Sequence, residues 1–394
     1  MPREPVFSRR ALLQAALASL LPVPALALSS EPVSIEPARL AEPASLFISG
    51  ARSGARSGVD EYVAVVFDDQ AKIVASVPIG ARAHGAASHL QSQRACLFAR
   101  RPGMFMNTFD RRTPGVHAVT EPVGGRHFYG HGAYSQNGKL LFATENDFDG
   151  MRGVLGIYDA SRHYERIGEL DTAGVGPHEV LRVPGTSLLL VANGGIHTHP
   201  DSGRDKLNIE TMEPNLALID SRDGKLLARH VLPAELHQVS IRHLACADDG
   251  VVWFAAQYEG EEVAIAGLAG SISIEQSMQS FHAGVSGKGL TLVEVPAALQ
   301  ARMTHYVSSV AVAGDYALFT SSKGGVVFQV NRRTSQIDET ISIRDCSGVT
   351  PRLVSGLDGA LVTSGTGEIV RLDAEGMTSL AMHTLQWDNH VYPI

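Results

Sequence analysis

The sequence predicts an all-β protein, a seven-bladed β-propeller of four-stranded blades closed between its N- and C-terminal strands. Three observations predict it. Beyond residue 44 the chain is a succession of short apolar runs, among them LLFATEN, LLLVANGG, NLALIDS and VVWFAAQYEG, rich in Val, Leu, Phe and Tyr and closed by Gly, Asn, Asp or Ser. Runs of this length between turn residues read as strands. The runs also recur as a unit: a short first segment, a turn such as QNG (136–138) or DDG (248–250), a strong apolar strand, a polar corner, and a strand ending in Asp or Asn. The first segments RAHGAAS, YGHGAYS, GPHEVLR, IRHLACA, VSSVAVA and CSGVTPR return every 40–65 residues, roughly, which suits propeller blades with insertions. At the N-terminal end LFISGARSG, EYVAVVFD and KIVASVPIG are three strands lacking a first, and at the C-terminal end QWDNHVYPI is a first strand lacking the rest. Joined, they make the seventh blade and leave no open sheet edge. Helix signals are short, around Pro233 to His237 and Pro296 to Gln300.

The N-terminus reads as an address. Ser8-Arg9-Arg10 is followed at once by the apolar run ALLQAALASLLPVPALA, and Ala25-Leu26-Ala27 offers a small-x-small cleavage site. Paired arginines directly before the apolar stretch favour a twin-arginine (Tat) signal over a Sec signal, and the run is short for a membrane anchor. The expected organisation is a signal peptide over residues 1–27, a linker over 28–43 and one propeller over 44–394, in the periplasm and with no stable membrane insertion. Cleavage removes Arg3, Arg9, Arg10 and Glu4, leaving 30 basic against 40 acidic residues. No run of basic residues builds a stripe that could track phosphates, which argues against nucleic acid as a partner. Cys96, Cys246 and Cys346 are odd in number and widely spaced, so they read as small buried residues rather than a disulfide framework, with one disulfide left open.

The stretch HFYGHG (127–132) carries two histidines four apart, the spacing of a helical metal clamp. Gly130 and Gly132 disfavour a helix there, and the flanks read as strand. The propeller register supplies another explanation. First strands line the central channel, and the aligned position reads His84, His131, His178, His243, Ser309, Gly348 and His390. Five blades therefore place a histidine at one depth around the axis. Neutral imidazole is a good ligand for Fe, Cu and Zn, so a transition metal is the expected cofactor, with iron first. The alternative for such residues is a wet channel in which they bond water. Strand period two places His127 on the same side as His131, one step toward the mouth. Glu179 and Asp388 adjoin ring members and could orient them as hydrogen-bond acceptors.

Corners between second and third strands open on the same face as the starts of the first strands. They carry Arg100 and Arg101, Glu145-Asn146-Asp147, Asn193, Gln257-Tyr258-Glu259 and Lys323, so ring and corners are expected to share one mouth. The longest corner, GGIHTHPDSGRDKLNIETMEPN, holds His197 and His199 and could fold over the channel as a lid. The chain has no HExxH, CxxC, P-loop or GxSxG, which leaves a serine hydrolase poorly supported.

RRPG (100–103), RHFYGHG (126–132), the ENDFDG corner with GVLGIYDA after it, GPHE (176–179), VANGGIHTHPDSGRDKLN (191–208), SIRHLA (240–245) and WDNH (387–390) together resemble the Tat-exported family catalogued as domain of unknown function 1513. The resemblance runs over nearly the whole mature chain. It implies a seven-bladed propeller and, by the company such genes keep, a link to bacterial iron acquisition, with imelysin-type or dihaem-oxidoreductase-type periplasmic proteins as partners. It implies no catalytic residues. Three functional classes follow: a periplasmic iron-binding protein, a metal-dependent oxidoreductase using the axial histidines, and a metal-free interaction scaffold. Whether the chain is an enzyme stays open at this point.

Overall fold

A computed structural model describes residues 45–54, 61–111, 113–203, 205–261, 267–282, 289–352 and 359–394. The signal peptide and linker expected over residues 1–43 lie outside the described residues. Residues 44–394 form one compact unit. Its strands make seven four-stranded antiparallel sheets, six of them ordered sequentially from the inside outward and the seventh led by the last strand of the chain. This is the seven-bladed β-propeller that the repeat predicts.

Blade 1 joins the C-terminal strand Leu385–Pro393 to Leu46–Ser53, Glu61–Asp68 and Ile73–Ile79. Blade 2 then runs from Ala83 to Thr120, blade 3 from Arg126 to Asp171, blade 4 from Pro177 to Val231, blade 5 from Val239 to Leu292, blade 6 from Ser309 to Ser342 and blade 7 from Cys346 to Met382. The inner strands, Leu385–Pro393 among them, neighbour one another in a closed cycle around the axis. Closure is sealed where Ile394 N–H donates to the Leu46 carbonyl at 2.8 Å and Trp387 packs on Phe67, ring centroids 5.3 Å apart.

Burial explains the sequence pattern. Second and third strands such as Leu188–Asn193 and Asn215–Asp220 are buried on both faces, because a blade is sandwiched between its neighbours, and so read as continuous apolar runs. Outermost strands such as Ile73–Ile79 alternate between half-buried and exposed residues. Aromatic side chains fill the spaces between blades, with Phe98 edge-on to Phe128 at 5.6 Å and Trp253 edge-on to Phe319 at 6.4 Å, while Phe319 stacks at 4.9 Å on its cross-strand partner Phe328 within blade 6. The two expected helical segments appear as a 3-10 turn, Ala234–Leu236, and a short α-helix, Ala297–Met303. A further helix, Ile274–His282, follows the third strand of blade 5 and packs against Leu226–Val231 of blade 4. Its polar sequence IEQSMQSFH hid it. Among the described residues no helix is long and apolar enough to cross a membrane.

Candidate metal centre

The inner strands do not run smoothly past the axis. Register slips between Ala83 and Ala86, Phe128 and Gly132, Pro177 and Glu179, Ile241 and His243, and Cys346 and Val349. On the closing strand, Trp387 and Val391 pair with Ala51 and Ser49, so three residues bulge opposite Gly50. Among the described inner strands, only that of blade 6 keeps a regular ladder with its neighbour, Ser309 lying opposite Thr320. Each bulge lies at or beside its blade's axial residue, and bulges re-aim side chains. Two glycines make room for the result. Gly130 has φ 109°, and a Cβ there would lie 2.5 Å from His84 Cδ2; one at Gly85 would lie 2.5 Å from His131 Nδ1.

Five imidazoles meet on the axis. Ring centroids of His84 lie 4.8 Å from His131, 5.2 Å from His178 and 4.9 Å from His390, and those of His243 lie 4.8 Å from His178 and 4.3 Å from His390. Ligand atoms of His84, His131 and His178, and of His131, His243 and His390, lie within 4.8 Å of one another. Ser309 and Gly348 complete the turn: Ser309 Oγ is 3.3 Å from His390 Nδ1, and Gly348 packs on the His390 backbone.

Three of the five Nδ1 atoms are anchored. His243 Nδ1 is 3.1 Å from Glu179 Oε2, His131 Nδ1 is 3.1 Å from the Tyr392 hydroxyl, and His390 Nδ1 meets Ser309. A neutral imidazole that donates through Nδ1 keeps its lone pair on Nε2. His131 Nε2 and His390 Nε2 are buried with no partner among the described residues. His84 Nε2 and His178 Nε2 stand 3.3 Å apart. Two nitrogens each ~2.0–2.1 Å from a tetrahedral cation are separated by roughly that distance. These residues therefore fit a transition metal: buried nitrogen donors, aimed inward, with unsatisfied lone pairs.

Electrostatics keep the donors neutral. Burial holds all five imidazoles below their usual value, His243 to about 3; neighbouring histidines add to the effect at His84, His131, His178 and His390, Arg100 at His84 and His390, and Arg242 at His178 and His243, while Glu179 opposes it at His131. Burial raises the Glu179 carboxyl, opposed by His131 and the Leu244 N–H. The cysteines are free thiols pushed up by burial, Cys96 to about 12 and Cys246 and Cys346 to about 11, which leaves them unsuited to act as thiolate ligands.

The ring divides the channel. On one side a cavity of about 580 Å³ is lined by His84, His178 and His243 together with the expected Arg101, Gln257 and Asp388. On the other, a smaller space of about 210 Å³ is lined by Glu179, His243, His390, Tyr392 and apolar residues of the inner strands.

Asp388 lines the cavity but pairs with Arg82 rather than a ring imidazole. Several other expected mouth residues lie elsewhere. His127 is turned away because the bulge after Phe128 breaks the period-two alternation; it stacks on Phe148 at 6.1 Å and meets Asn146 Nδ2 at 3.1 Å, while Tyr129 lines the cavity. Glu145, Asn146 and Asp147 belong to the strand Leu140–Asp147 and are held inside their blade and its edge. Glu145 accepts from the Tyr158 hydroxyl at 2.6 Å and Arg166 at 2.9 Å, and Asp147 from Arg152 at 2.8 Å. Asn193 ties the Thr172 carbonyl to Asn215. His197 and His199 pack on the Phe148–Asp149 corner, and of their long corner it is Lys206 that lines the cavity. Tyr258 is buried beside His305, and Tyr306 takes the lining position. The sequence pattern does not single out the lining residues Arg82, Arg242 and Tyr129. Arg82 and Arg242 stand two and one residues before ring histidines, which was the available signal.

The family model described as "Protein of unknown function (DUF1513)" matches residues 77–394. The chain belongs to that family. Comparison with curated protein sequences finds no match. Among solved structures the chain is similar to Kuenenia stuttgartiensis hydrazine synthase, at 12% identity and TM-score 0.55, over 81% of this chain and 91% of that one. At that identity the similarity speaks for the propeller fold alone.

Proposed function

We propose that the protein is a periplasmic metal-binding propeller that holds iron on its axis and serves bacterial iron acquisition. The observation that carries the reading is the set of five buried, neutral imidazoles, three of them with Nδ1 anchored on Glu179, Tyr392 or Ser309, and two of those three with an unpartnered Nε2 lone pair. A wet polar channel has no need of histidines buried to between 1% and 8% exposure and held to one depth. All-nitrogen donors suit Fe, Cu and Zn alike, and the choice of iron, like the imelysin-type or dihaem-oxidoreductase-type partners, rests on the family resemblance. The test is the metal content of untagged protein purified from periplasm: about one iron per chain supports the reading, and no transition metal above trace overturns it. Export through the Tat route is tested by changing Arg9 and Arg10 to Lys, which should strand folded precursor in the cytoplasm.

An oxidoreductase reading has one observation in its favour, that the ring opens on one side to a 580 Å³ cavity. That cavity is walled by charged side chains, whereas a pocket for an organic substrate is mostly apolar. Binding of the cation is the better reading.

A further inference from the structure

The chain as a whole is acidic, with formal net charge −8, yet cations concentrate at the mouth of the cavity above the ring. Arg82, Arg100, Arg101, Lys206, Arg242 and Lys323 line it, joined by Arg52, against three carboxylates, Glu259, Asp345 and Asp388. Glu259 is shared by Lys206 and Arg242, and Asp388 is taken by Arg82. Arg101 and Lys323 face no carboxylate among the described residues. They lie over aromatic rings instead, Arg101 at 5.8 Å from the centre of Tyr129 and Lys323 at 5.1 Å from that of Tyr306. These cations come from blades 1, 2, 4, 5 and 6 and from the approach to blade 2, so they surround the space rather than cluster on one wall.

A folded protein does not gather uncompensated guanidinium and ammonium groups at a concave site without cost, because like charges repel and low-dielectric walls focus their field. Guanidinium forks match carboxylates in pairs. A single-centred oxyanion could reach only one side of a cavity of about 580 Å³, whereas an anion with several arms could reach several. We infer that the mouth binds a small polycarboxylate anion, seated between Arg101 and Lys323 above the histidine ring. Resting on the metal reading, this identifies the form in which the cation reaches the axis: as an anionic polycarboxylate complex, whose arms stay with the mouth cations while the metal faces the imidazoles. Anion binding itself needs no metal, and that separates the two ideas.

The test is calorimetric titration of metal-stripped protein at low ionic strength with citrate, acetate and inorganic phosphate. The expected result is citrate binding at least tenfold tighter than either acetate or phosphate, weakening as salt is added. R101Q/K323Q should lose at least tenfold in citrate affinity, and the charge-preserving R101K/K323R should recover most of it, which separates charge from a folding defect. H131A/H390A should bind citrate within about threefold of wild type while losing metal. Citrate binding no tighter than acetate, phosphate binding as tight as citrate, or an R101Q/K323Q variant with wild-type affinity would each overturn the inference. Citrate binding by a protein that takes up no metal would sustain it and remove the metal reading instead.

Discussion

Glu179, on the inner strand of blade 4, reaches the next blade and accepts from His243 through Nδ1 at 3.1 Å and from the Leu244 N–H at 3.1 Å. Its other oxygen lies 3.7 Å from His131 Nδ1. One carboxylate thus orients His243 directly and stands close to His131, whose Nδ1 is held by the Tyr392 hydroxyl. Replacing it by Ala leaves the nitrogen donors in place but frees the His243 ring to turn. Metal affinity of Glu179→Ala is expected to fall by about 10–100-fold, the usual effect of removing a carboxylate behind a histidine ligand. Competition against a chelator of known affinity measures it, and wild-type affinity would show that Glu179 orients nothing.

The ring itself is tested by His131→Ala and His390→Ala, which remove the two unpartnered Nε2 atoms. Titrating Fe(II) under anaerobic conditions, Cu(II) and Zn(II) into metal-stripped protein should show each variant weakened at least tenfold for the native cation, since ligands of one ion share a single binding free energy. His163, exposed in a turn of blade 3, serves as the silent control. His230 would not serve, because it is 1% exposed with neither nitrogen partnered, and its removal alters packing. Identical isotherms throughout would return the channel to water.

The ring was legible in the sequence because a repeat aligns positions: once RAHGAAS, YGHGAYS and IRHLACA are laid over one another, the histidines coincide. The bulges were not legible. A bulge is a property of two strands, one carrying a residue more than its partner, and no single run of YGHGAYS states which partner residue it faces. For that reason simple alternation points His127 toward the channel and passes over Tyr129. ENDFDG misled for a related reason: its polarity reads as a corner, but Arg126, Arg152 and Arg166 compensate its carboxylates, so the strand continues through Asp147. The cationic mouth is assembled from five blades and is visible only when the blades close.

Closure is the feature on which the fold depends most. Deleting residues 386–394 removes the inner strand of blade 1, His390, and the buried Trp387 and Val391, and exposes the ladder of Leu46–Ser53. The product is expected to aggregate or fail to fold. The milder Trp387→Ala should cost about 3–5 kcal/mol from loss of a buried aromatic side chain. A truncated chain that melts cooperatively at the wild-type temperature would exclude this closure.

The axial histidines also predict an acid limit for the metal-free protein. In the unfolded chain each titrates near the ordinary value of ~6.5, and in the fold burial holds each lower, His243 to about 3. Folding therefore excludes protons, and the unfolded state binds more of them wherever the pH lies between the two values. Stability is fully present above about 6.5 and falls as pH drops through that window, by up to ~1.4 kcal/mol per histidine per pH unit. Several histidines acting together should bring the denaturant midpoint down steeply between about pH 6.5 and 5. A bound cation competes with the proton for the same lone pairs, so loading with metal should move the loss to lower pH. Replacing His84 and His390 by Gln removes two of the groups that exclude protons and should make the decline shallower. Denaturant unfolding at half-unit steps from pH 7.5 to 4.5, with and without metal, measures all three. A flat profile in the metal-free wild type down to pH 5 would mean that the imidazoles take up protons freely in the fold, which buried, mutually adjacent rings cannot do without separating.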